Sequence, residues 1–568
     1  MSATVNNWLR LRATICAASF IAAALACAIP AAAQEKQAAA SADSSAATAN
    51  AVASDPILKA MHEELERSKD QLKMDNVPSP YYIEYRLSDV EEFDAEAAFG
   101  AIRQKQRVHS RILRVVVRVG DYKEDSFYGP GSGMVELAPL ENDPTALRRQ
   151  LWLATDGAYK RASEALAMKK AALSQYTGGQ QFDDFAHAPV LQSIEPLAKL
   201  EFDPQPWTEM IEKSSDLFRS DPKIDYLSAS VRFRAVNQYF ENTEGTVTRH
   251  GFAVYSVHLS GSTQAADGMQ LERSPYFVAA TAKELPSPQE IEAETQKMIA
   301  TFKALRDAPV VEEDYRGPIL FSSDAATDLV TSMIGDNALG NRPKPGESAR
   351  TTGDFASNYK GRVLPTFLSV TDDPSMKSFQ GKTLIGAYDV DDEGVRAAKV
   401  AVIQDGVLLN YLLGRQPIRD FPDSNGHGRA APGQPPAPSI GNLVVQAKDS
   451  LSSEAMKKKL IDLCTQENKE FCYRVETLAG LNPRLLYRVY VKDGHEELVR
   501  GALFDELDTR TLRNDLVAAG NDFLVSNRES NIPATVIAPS LLLDELEVKR
   551  TDSKNAKIPE YPAPDLAH

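Results

Sequence analysis

One stretch in the second half of the chain, residues 361–429, decides the interpretation of the fold. It contains a dense acidic turn, which reads Gly386-Ala387-Tyr388-Asp389-Val390-Asp391-Asp392-Glu393-Gly394-Val395. It ends in a glycine-rich loop, Ser424-Asn425-Gly426-His427-Gly428-Arg429. Short apolar runs lie around these loops at 364–370, 383–388, 399–403 and 408–413. Such runs, separated by Gly and Asp, predict β-strands joined by tight turns.

The sequence on both sides of this stretch predicts helices and further strands. Asp55-Pro56 begins a helical pattern that continues to about Lys73, since Asp favours the cap of a helix and Pro its first position. Further helical patterns lie at 145–173, 207–218, 288–305, 324–333 and 451–465. Alternating runs lie at 81–86, 112–119, 226–240, 247–259, 319–321, 473–478 and 485–491. The connection Asn242–Gly245 predicts a hairpin.

These elements predict an α+β protein of two domains with largely antiparallel sheets and flanking helices. The chain has 568 residues, which is enough for more than one hydrophobic core. Ala308-Pro309, followed by three acidic residues, indicates a domain boundary. We therefore expect an N-terminal domain at 55–308, a C-terminal domain at 309–550 and a tail at 551–568.

The N-terminus has the pattern of an export signal. Arg10 and Arg12 precede an uncharged, alanine-rich stretch, and Ala31-Ala32-Ala33 gives a small-residue cleavage site. We expect a signal peptide at 1–33, cleavage before Gln34, a disordered tether at 34–54, and a periplasmic or secreted protein. Two alternatives remain open: an uncleaved membrane anchor and lipidation at Cys27.

Export places the two remaining cysteines, Cys464 and Cys472, in an oxidising compartment. Eight residues of continuous helix would hold them about 12 Å apart, which is too far for a disulfide. A bridge therefore requires the helix to end between them. The sequence leaves both states open, a disulfide and two half-buried thiols.

The net charge of the chain argues against nucleic acid as a partner. The formal charge is −16 at pH 7, which repels a polyanion, and no run of Lys and Arg offsets it. The sequence also predicts no stable membrane span.

The order of the motifs resembles the C-terminal domain of the TldD/PmbA (TldE) family, which includes proteins of the modulator-of-gyrase type. The acidic turn is followed by Gln404-Asp405-Gly406-Val407-Leu408 and then by the loop that contains Asn425. Upstream, the segment from Tyr239 to Gly245, with Asp267-Gly268 beyond it, resembles the N-terminal domain of the family. The resemblance implies a two-domain subunit that pairs with a relative. One partner of such a pair carries a His-Glu-x-x-x-His helix and a distal Cys as zinc ligands, and the other lacks them.

The zinc ligands that this resemblance implies are missing from the chain. The matching register places Ser323, Asp324 and Asp328 at the positions of the two His and the Glu, and no His lies between His258 and His427. No Cys follows Cys472, and 525–533 occupies the neighbourhood of the distal ligand. Hydroxyls and carboxylates suit Zn²⁺ poorly. We therefore expect no cofactor and a member of the metal-free, TldE-like branch.

Two groups of residues remain as candidates for a replacement site. Asp391, Asp392 and Glu393 could hold a hard cation or line a cleft together with Asn425, although the same residues also favour a plain tight turn. His427, between two glycines, and Arg429 are the candidates for chemistry, although these glycines could instead serve only positive backbone angles.

Three functions follow from this sequence. The first is a non-catalytic partner subunit of a TldD-like peptidase, forming a hetero-oligomer with that relative. The second is a periplasmic peptide hydrolase with a rebuilt site around His427, and unfolded peptides would be its ligands. The third is an envelope scaffold protein. A homodimer is the alternative to the hetero-oligomer.

Overall fold

The computed structural model describes residues 50, 52–175, 182–344 and 347–551. The predicted signal peptide, most of the predicted tether and all but the first residue of the predicted tail lie outside the described residues.

The N-terminal half forms one large sheet. Its strands are β1 (Pro80–Ala98), β2 (Ala101–Val119), β3 (Met134–Leu137), β4 (Gln192–Ile194), β5 (Ile224–Asn242), β6 (Val247–Gln264), β7 (Gln270–Arg273) and β8 (Tyr276–Ala279). The order is β3-β2-β1-β5-β6-β4, and β7 and β8 both pair with β6. All pairs are antiparallel except β4 with β6.

One face of this sheet is covered by the helices α1 (Pro56–Gln71), α2 (Pro144–Leu173), α3 (Pro204–Asp216) and α4 (Pro288–Asp307). Each has Pro at its start and a capping side chain before it, from Asp or Ser. The helices α1 and α2 pack over one end of the sheet, and α3 and α4 over the other. Odd-numbered residues of β1 enter both cores, because successive side chains of a strand point to opposite faces.

The C-terminal half contains two larger sheets. The first sheet consists of β9 (Tyr315–Phe321), β18 (Phe471–Ala479), β19 (Asn482–Tyr490), β20 (Glu496–Val499), β21 (Ala502–Asp505), β22 (Leu516–Ala519) and β25 (Leu541–Arg550). Its order is β20-β19-β18-β9-β25-β21, with β22 beside β25. The second consists of β10 (Leu368–Asp372), β13 (Val400–Gln404), β14 (Val407–Leu408), β17 (Asn442–Ala447), β23 (Leu524–Arg528) and β24 (Ala534–Ala538). Its order is β14-β13-β10-β17-β24-β23.

The remaining elements of this half are short. Two-stranded pieces join β11 (Ser378–Phe379) to β12 (Lys382–Thr383) and β15 (Gly428–Arg429) to β16 (Ala437–Pro438). The helices are α5 (Ser323–Val330), α6 (Ser453–Gln466) and α7 (Thr509–Asp515). Apolar residues of α5 and of both large sheets form a single buried core, so α5 is fixed between the sheets.

The fold class predicted from the sequence, α+β with largely antiparallel sheets and flanking helices, is confirmed. Within the described residues, no helix is both long enough and apolar enough to cross a membrane.

Three predicted strands of the central stretch are wrong in extent. The run at 383–388 is paired only at its first residue, and the run at 364–370 only from Leu368 onward. The run at 408–413 is paired at Leu408 and, through an isolated bridge to Leu339, at Leu412. Leu384, Tyr411 and Leu412 are nevertheless buried. Their apolar pattern therefore reflects packing of irregular loops into the core and not the pleat of a sheet.

The structure decides between the two states left open for Cys464 and Cys472. The helix α6 ends at Gln466, a short turn follows, and β18 begins at Phe471. The two residues form a disulfide with their Cα atoms 5.9 Å apart. The condition set by the sequence, that the helix ends between them, is met.

Candidate functional site

A cleft of about 850 Å³ lies between the N-terminal and C-terminal halves. The N-terminal wall is formed by β7, β8 and α4, and the C-terminal wall by α5, β18 and β23. Clefts between domains are frequent ligand sites, because two separately folded surfaces can each contribute polar groups. This cleft contains part of the helix to which the sequence assigned the missing zinc ligands.

The position of α5 follows from its sequence. The central strand β9 leads directly into it, and the Ser322 hydroxyl caps it by accepting a hydrogen bond from the Ala325 amide at 3.3 Å. Ala325 and Ala326 face the core, so the opposite side of the helix is turned toward the cleft. Asp324 and Asp328 line the cleft, whereas Ser323 does not belong to its lining.

A guanidinium group lies against α5 on the cleft side. Arg528, the last residue of β23, donates through Nη2 to Asp328 Oδ1 at 2.7 Å and to Thr327 Oγ1 at 3.4 Å. The side chains of Arg528 and Asp328 are 29% and 31% exposed, so the ion pair forms part of the cleft wall. The structure thus brings α5 together with the segment 525–533, which the sequence placed near the distal ligand.

The donor set of this wall does not fit zinc. The groups at the expected positions are a hydroxyl, two carboxylates and the guanidinium that is bonded to one of them, whereas zinc sites use neutral imidazole or thiolate. A fixed cation beside Asp328 would also repel the metal ion. Throughout the described residues, no three side chains of His, Cys, Asp or Glu are grouped so that they could hold a metal ion.

Charged side chains cover the walls of the cleft, and most of them pair with one another. The pairs are Arg484 with Glu272 at 3.6 Å, Lys297 with Glu294 at 3.5 Å, Arg528 with Asp328 at 2.7 Å, and Arg474 with Glu476. Glu529 accepts a hydrogen bond from the Tyr276 hydroxyl at 2.5 Å. The cleft is therefore a polar surface with alternating charge.

The carboxylate of Asp324 is set apart from these pairs. Within the described residues it has no ion pair and its side chain makes no hydrogen bond, although the residue is exposed to the cleft. Desolvation by the cleft walls raises the pKa of Asp324, and the nearby carboxylates of Asp328 and Glu476 raise it further. Arg273 and Arg528 oppose this shift only in part.

The acidic turn has a different environment, because it is buried between the two halves of the chain. Asp392 accepts from Arg429 Nε at 3.0 Å and from the Ala430 amide at 2.7 Å. Its other oxygen lies 3.1 Å from Nε2 of His250, a residue of β6. Burial alone would raise the pKa of Asp392, but Arg429 and His250 lower it well below its usual range.

The neighbouring carboxylate of Asp391 also has protein donors on both oxygens. Asp391 accepts from the amides of Glu393, Val395 and Gly428 at 2.8–3.0 Å. Its burial, followed by the charge of Glu393, raises the pKa of Asp391 well above its usual value. Asp391, Asp392 and Glu393 are at most 7% exposed. The prediction that these residues line a cleft is therefore corrected. They form a buried turn, and the hydrogen bonds to their carboxylates come from the protein itself.

The turn also fits tightly against the N-terminal half. Glu393 Oε2 accepts from the Arg415 amide at 2.6 Å, and the Arg415 guanidinium binds both oxygens of Glu244 at 2.7 and 2.8 Å. Glu244 belongs to the predicted hairpin between β5 and β6. Gly394 has a φ of 74°, and a Cβ atom there would lie 2.7 Å from Thr246 Cγ2. The acidic turn and Arg415 thus join the two halves.

The two candidates for chemistry are part of the same buried region. His427 is fully buried, with Nε2 3.2 Å from Asp372 Oδ1 and Nδ1 3.0 Å from Asn425 Oδ1. Arg429 is also buried, and its guanidinium lies 4.0 Å from the centre of the Tyr388 ring. No substrate can reach the His427 ring in this structure. Asn425, which was predicted to line a cleft, instead orients that ring.

Sequence reasoning missed the residues that complete the cleft. Arg273, at the end of β7, donates to Thr477 Oγ1 at 3.2 Å across the two halves. No motif marks Arg273 or Glu476, because each comes from a strand whose pairing only the fold reveals. Arg528 lies in the segment 525–533, which the resemblance placed near the distal ligand, so the sequence already marked its neighbourhood as part of the site.

Comparison with known proteins relates the C-terminal half to a described family. Residues 314–550 match the family model described as the PmbA/TldA metallopeptidase C-terminal domain. The metalloprotease PmbA of Escherichia coli O157:H7 is 24% identical over 176 residues, which cover 31% of this chain and 35% of that protein. A metalloprotease of Archaeoglobus fulgidus is 33% identical over 79 residues, covering 13% of this chain and 17% of that protein. The matches therefore span about a third or less of these relatives.

A solved structure extends the likeness in fold to both halves. TldE from Thermococcus kodakarensis superposes with a TM-score of 0.57 at 12% identity, covering 86% of this chain and 99% of that one. The fold defines an α+β protein with largely antiparallel sheets in both halves, and its C-terminal half is related to metallopeptidases. Residues 314–550 therefore match the C-terminal domain of PmbA/TldA metallopeptidases, and the chain as a whole shares the fold of TldE.

Proposed function

We propose that this chain is an exported, non-catalytic subunit that pairs with a metal-bearing, TldD-like peptidase. The observation that carries the proposal is the ion pair between Arg528 and Asp328 on the cleft face of α5. The resemblance implies that a peptidase of this type carries metal ligands on this helix, whereas here a guanidinium bonded to a carboxylate forms that part of the wall. The similarity in fold to a protein named TldE supports the same interpretation.

The predicted signal peptide supports export, and the disulfide between Cys464 and Cys472 suits an oxidising compartment. N-terminal sequencing of the protein recovered from the cell envelope tests this part of the proposal. A chain that begins at Gln34 is the expected result. A chain that retains Arg10 and Arg12 would contradict the predicted cleavage.

The central experiment measures zinc in two samples. In the first, the chain is purified alone and dialysed against micromolar Zn²⁺, and we expect far less than one zinc ion per chain. In the second, the chain is recovered from native envelopes by affinity pull-down, and we expect a TldD-like relative in the complex, with zinc bound to that relative. One firmly held zinc ion per isolated chain would contradict a non-catalytic role, and recovery of the chain without any relative would contradict the pairing.

A peptidase assay completes the test. The isolated chain should leave unstructured peptides intact, whereas the complex with its relative should cleave them. The variant His427→Ala serves as a control, because His427 is buried and out of reach of a substrate. Cleavage by the isolated chain that is lost in this variant would revive the alternative of a rebuilt site.

A further inference from the structure

A second, smaller pocket lies between the two halves of the chain, beside the acidic turn. Its volume is about 150 Å³, and it shares no lining residue with the cleft that contains α5. One apolar wall comes from β6 of the N-terminal half, and the others come from the C-terminal half: Phe252, Ile385, Ala387 and Pro533. The pocket therefore combines a small volume with a largely apolar boundary, and a single guanidinium also lines it, that of Arg429.

Arg429 offers this pocket a forked hydrogen-bond donor. The residue is 4% exposed, its Nε donates to Asp392 Oδ2 at 3.0 Å, and the Tyr388 ring covers one face of the guanidinium. The two Nη atoms make no hydrogen bond among the described residues, yet neither is sealed from solvent. Their N–H groups thus form an open edge, and such a fork matches the two oxygens of one carboxylate.

The charges around the pocket limit how much negative charge a ligand can carry. Asp392 already offsets Arg429, so the guanidinium offers unfilled hydrogen bonds and not an unbalanced charge. Lys377 and Asp389, both more than half exposed, pair with each other at 2.7 Å. Glu195 lines the pocket with a further carboxylate. These carboxylates would repel a dianion more strongly than a monoanion.

We propose that this pocket binds a free, short-chain monocarboxylate, with its two oxygens on the Nη edge of Arg429 and its aliphatic tail against Phe252 and Ile385. At about 30 Å³ for each water-sized group, the volume has room for roughly five non-hydrogen atoms, which is the size of propionate. The bound acid contacts both halves of the chain and stabilises their association. The site needs neither a metal ion nor a partner subunit, so it is independent of the proposed pairing.

The test is calorimetric titration of the isolated full chain with four compounds: propionate, propionamide, sulfate and N-acetylalanine. Propionate should bind, and propionamide should bind roughly tenfold to hundredfold more weakly, because it has one oxygen for the fork and no charge. Sulfate should not bind, because it is a dianion. N-acetylalanine represents the carboxyl end of a polypeptide and should bind more weakly than propionate, because it exceeds the volume of the pocket.

Three variants locate the binding, and the unfolding temperature of each shows whether it is folded. Ala387→Leu fills the pocket without touching Arg429 and should abolish binding. Arg429→Lys keeps a cation beside Asp392 but removes the fork, so propionate should bind as weakly as propionamide. Glu195→Gln removes a repelling carboxylate and should tighten the binding of propionate. The matched control is Glu201→Gln, an exposed residue outside the pocket, which should leave binding unchanged.

Absence of propionate binding at millimolar concentration would overturn the proposal and leave water as the partner of the Nη edge. Unchanged binding in a folded Ala387→Leu variant would also overturn it, because the ligand would then lie elsewhere. Tighter binding of N-acetylalanine than of propionate would assign the pocket to a chain end and not to a free acid. Binding of sulfate as tight as that of propionate would contradict the selection for a single charge.

Discussion

The acidic turn and the interdomain cleft are built from the same kinds of side chain but differ in how completely these are paired. In the turn, Asp392 has partners on both oxygens and is 1% exposed. In the cleft, Asp324 is open to solvent and has no hydrogen-bond partner among the described residues. A dense cluster of carboxylates thus turns out to hold the fold together, whereas a sparse one faces the cavity.

The difference shows that the number of acidic residues in a motif is a poor guide to a site. Buried charges persist only when donors surround them, and these donors fill the space that a ligand would need. The carboxylate of Asp324, which has no ion pair or side-chain hydrogen bond among the described residues, is by contrast exposed to the cleft.

The largest expected effect comes from breaking the buried turn. Asp392→Asn removes the counter-charge of Arg429 and disturbs the contact with His250, so the free energy of unfolding should fall by about 3–5 kcal/mol. Denaturant titration measures this change. The control is Asp389→Asn in the same turn, where Asp389 and its partner Lys377 are both more than half exposed, and the expected change is below about 1 kcal/mol. Equal effects of the two variants would remove the distinction between buried and open carboxylates.

An intermediate effect is expected at Glu241, which is buried and, within the part of the chain that the structure describes, has His62 as its single ionic partner. Burial raises the pKa of Glu241 to about 7 from a reference of 4.5, and His62 offsets this only in part. The folded state therefore retains a proton that the unfolded state releases, and stability is lost as the pH rises from 4.5 through 7.

The variant Glu241→Gln lacks this titration. Between pH 5 and pH 8 its free energy of unfolding should therefore fall by roughly 1–3 kcal/mol less than that of the wild type. Unfolding curves at these two pH values provide the measurement, with Asp462→Asn on the exposed face of α6 as the control. A pH dependence equal to that of the wild type would show that Glu241 is ionised in the folded protein at low pH.

The smallest effect is expected in the cleft wall. A double-mutant cycle with Asp328→Asn and Arg528→Gln should give a coupling energy of at most about 1 kcal/mol, because both side chains are nearly one-third exposed. The exposed pair of Lys458 and Asp462 provides the reference cycle. A coupling energy of about 3 kcal/mol or more would show that this ion pair behaves like the buried pairs of the acidic turn and not like a solvent-exposed pair.

The sequence predicts local structure well where short-range chemistry determines it. The Asp-Pro start of α1 and the Asn242–Gly245 hairpin depend on neighbouring residues only, and both are confirmed. The apolar runs at 383–388 and 408–413 are ambiguous, since burial of a loop and the pleat of a strand produce similar patterns. Tertiary packing decides between these two possibilities.

The site was less accessible to sequence reasoning, because its residues are distant in the chain. His250 lies 142 residues from Asp392, and Arg528 lies 200 residues from Asp328. The resemblance to the family placed α5 and the segment 525–533 in one neighbourhood and so indicated the correct wall. It gave no information on Arg273, which comes from the other half of the chain.

The contact between Arg528 and Asp328 holds the cleft wall in place without a metal ion. A zinc ion can be withdrawn by a chelator or lost when its supply falls, and a helix that depends on such an ion then loses its tether. A guanidinium is covalently attached to the chain and cannot diffuse away. The hydrogen bond that links α5 to β23 therefore forms in metal-poor and in metal-rich surroundings alike.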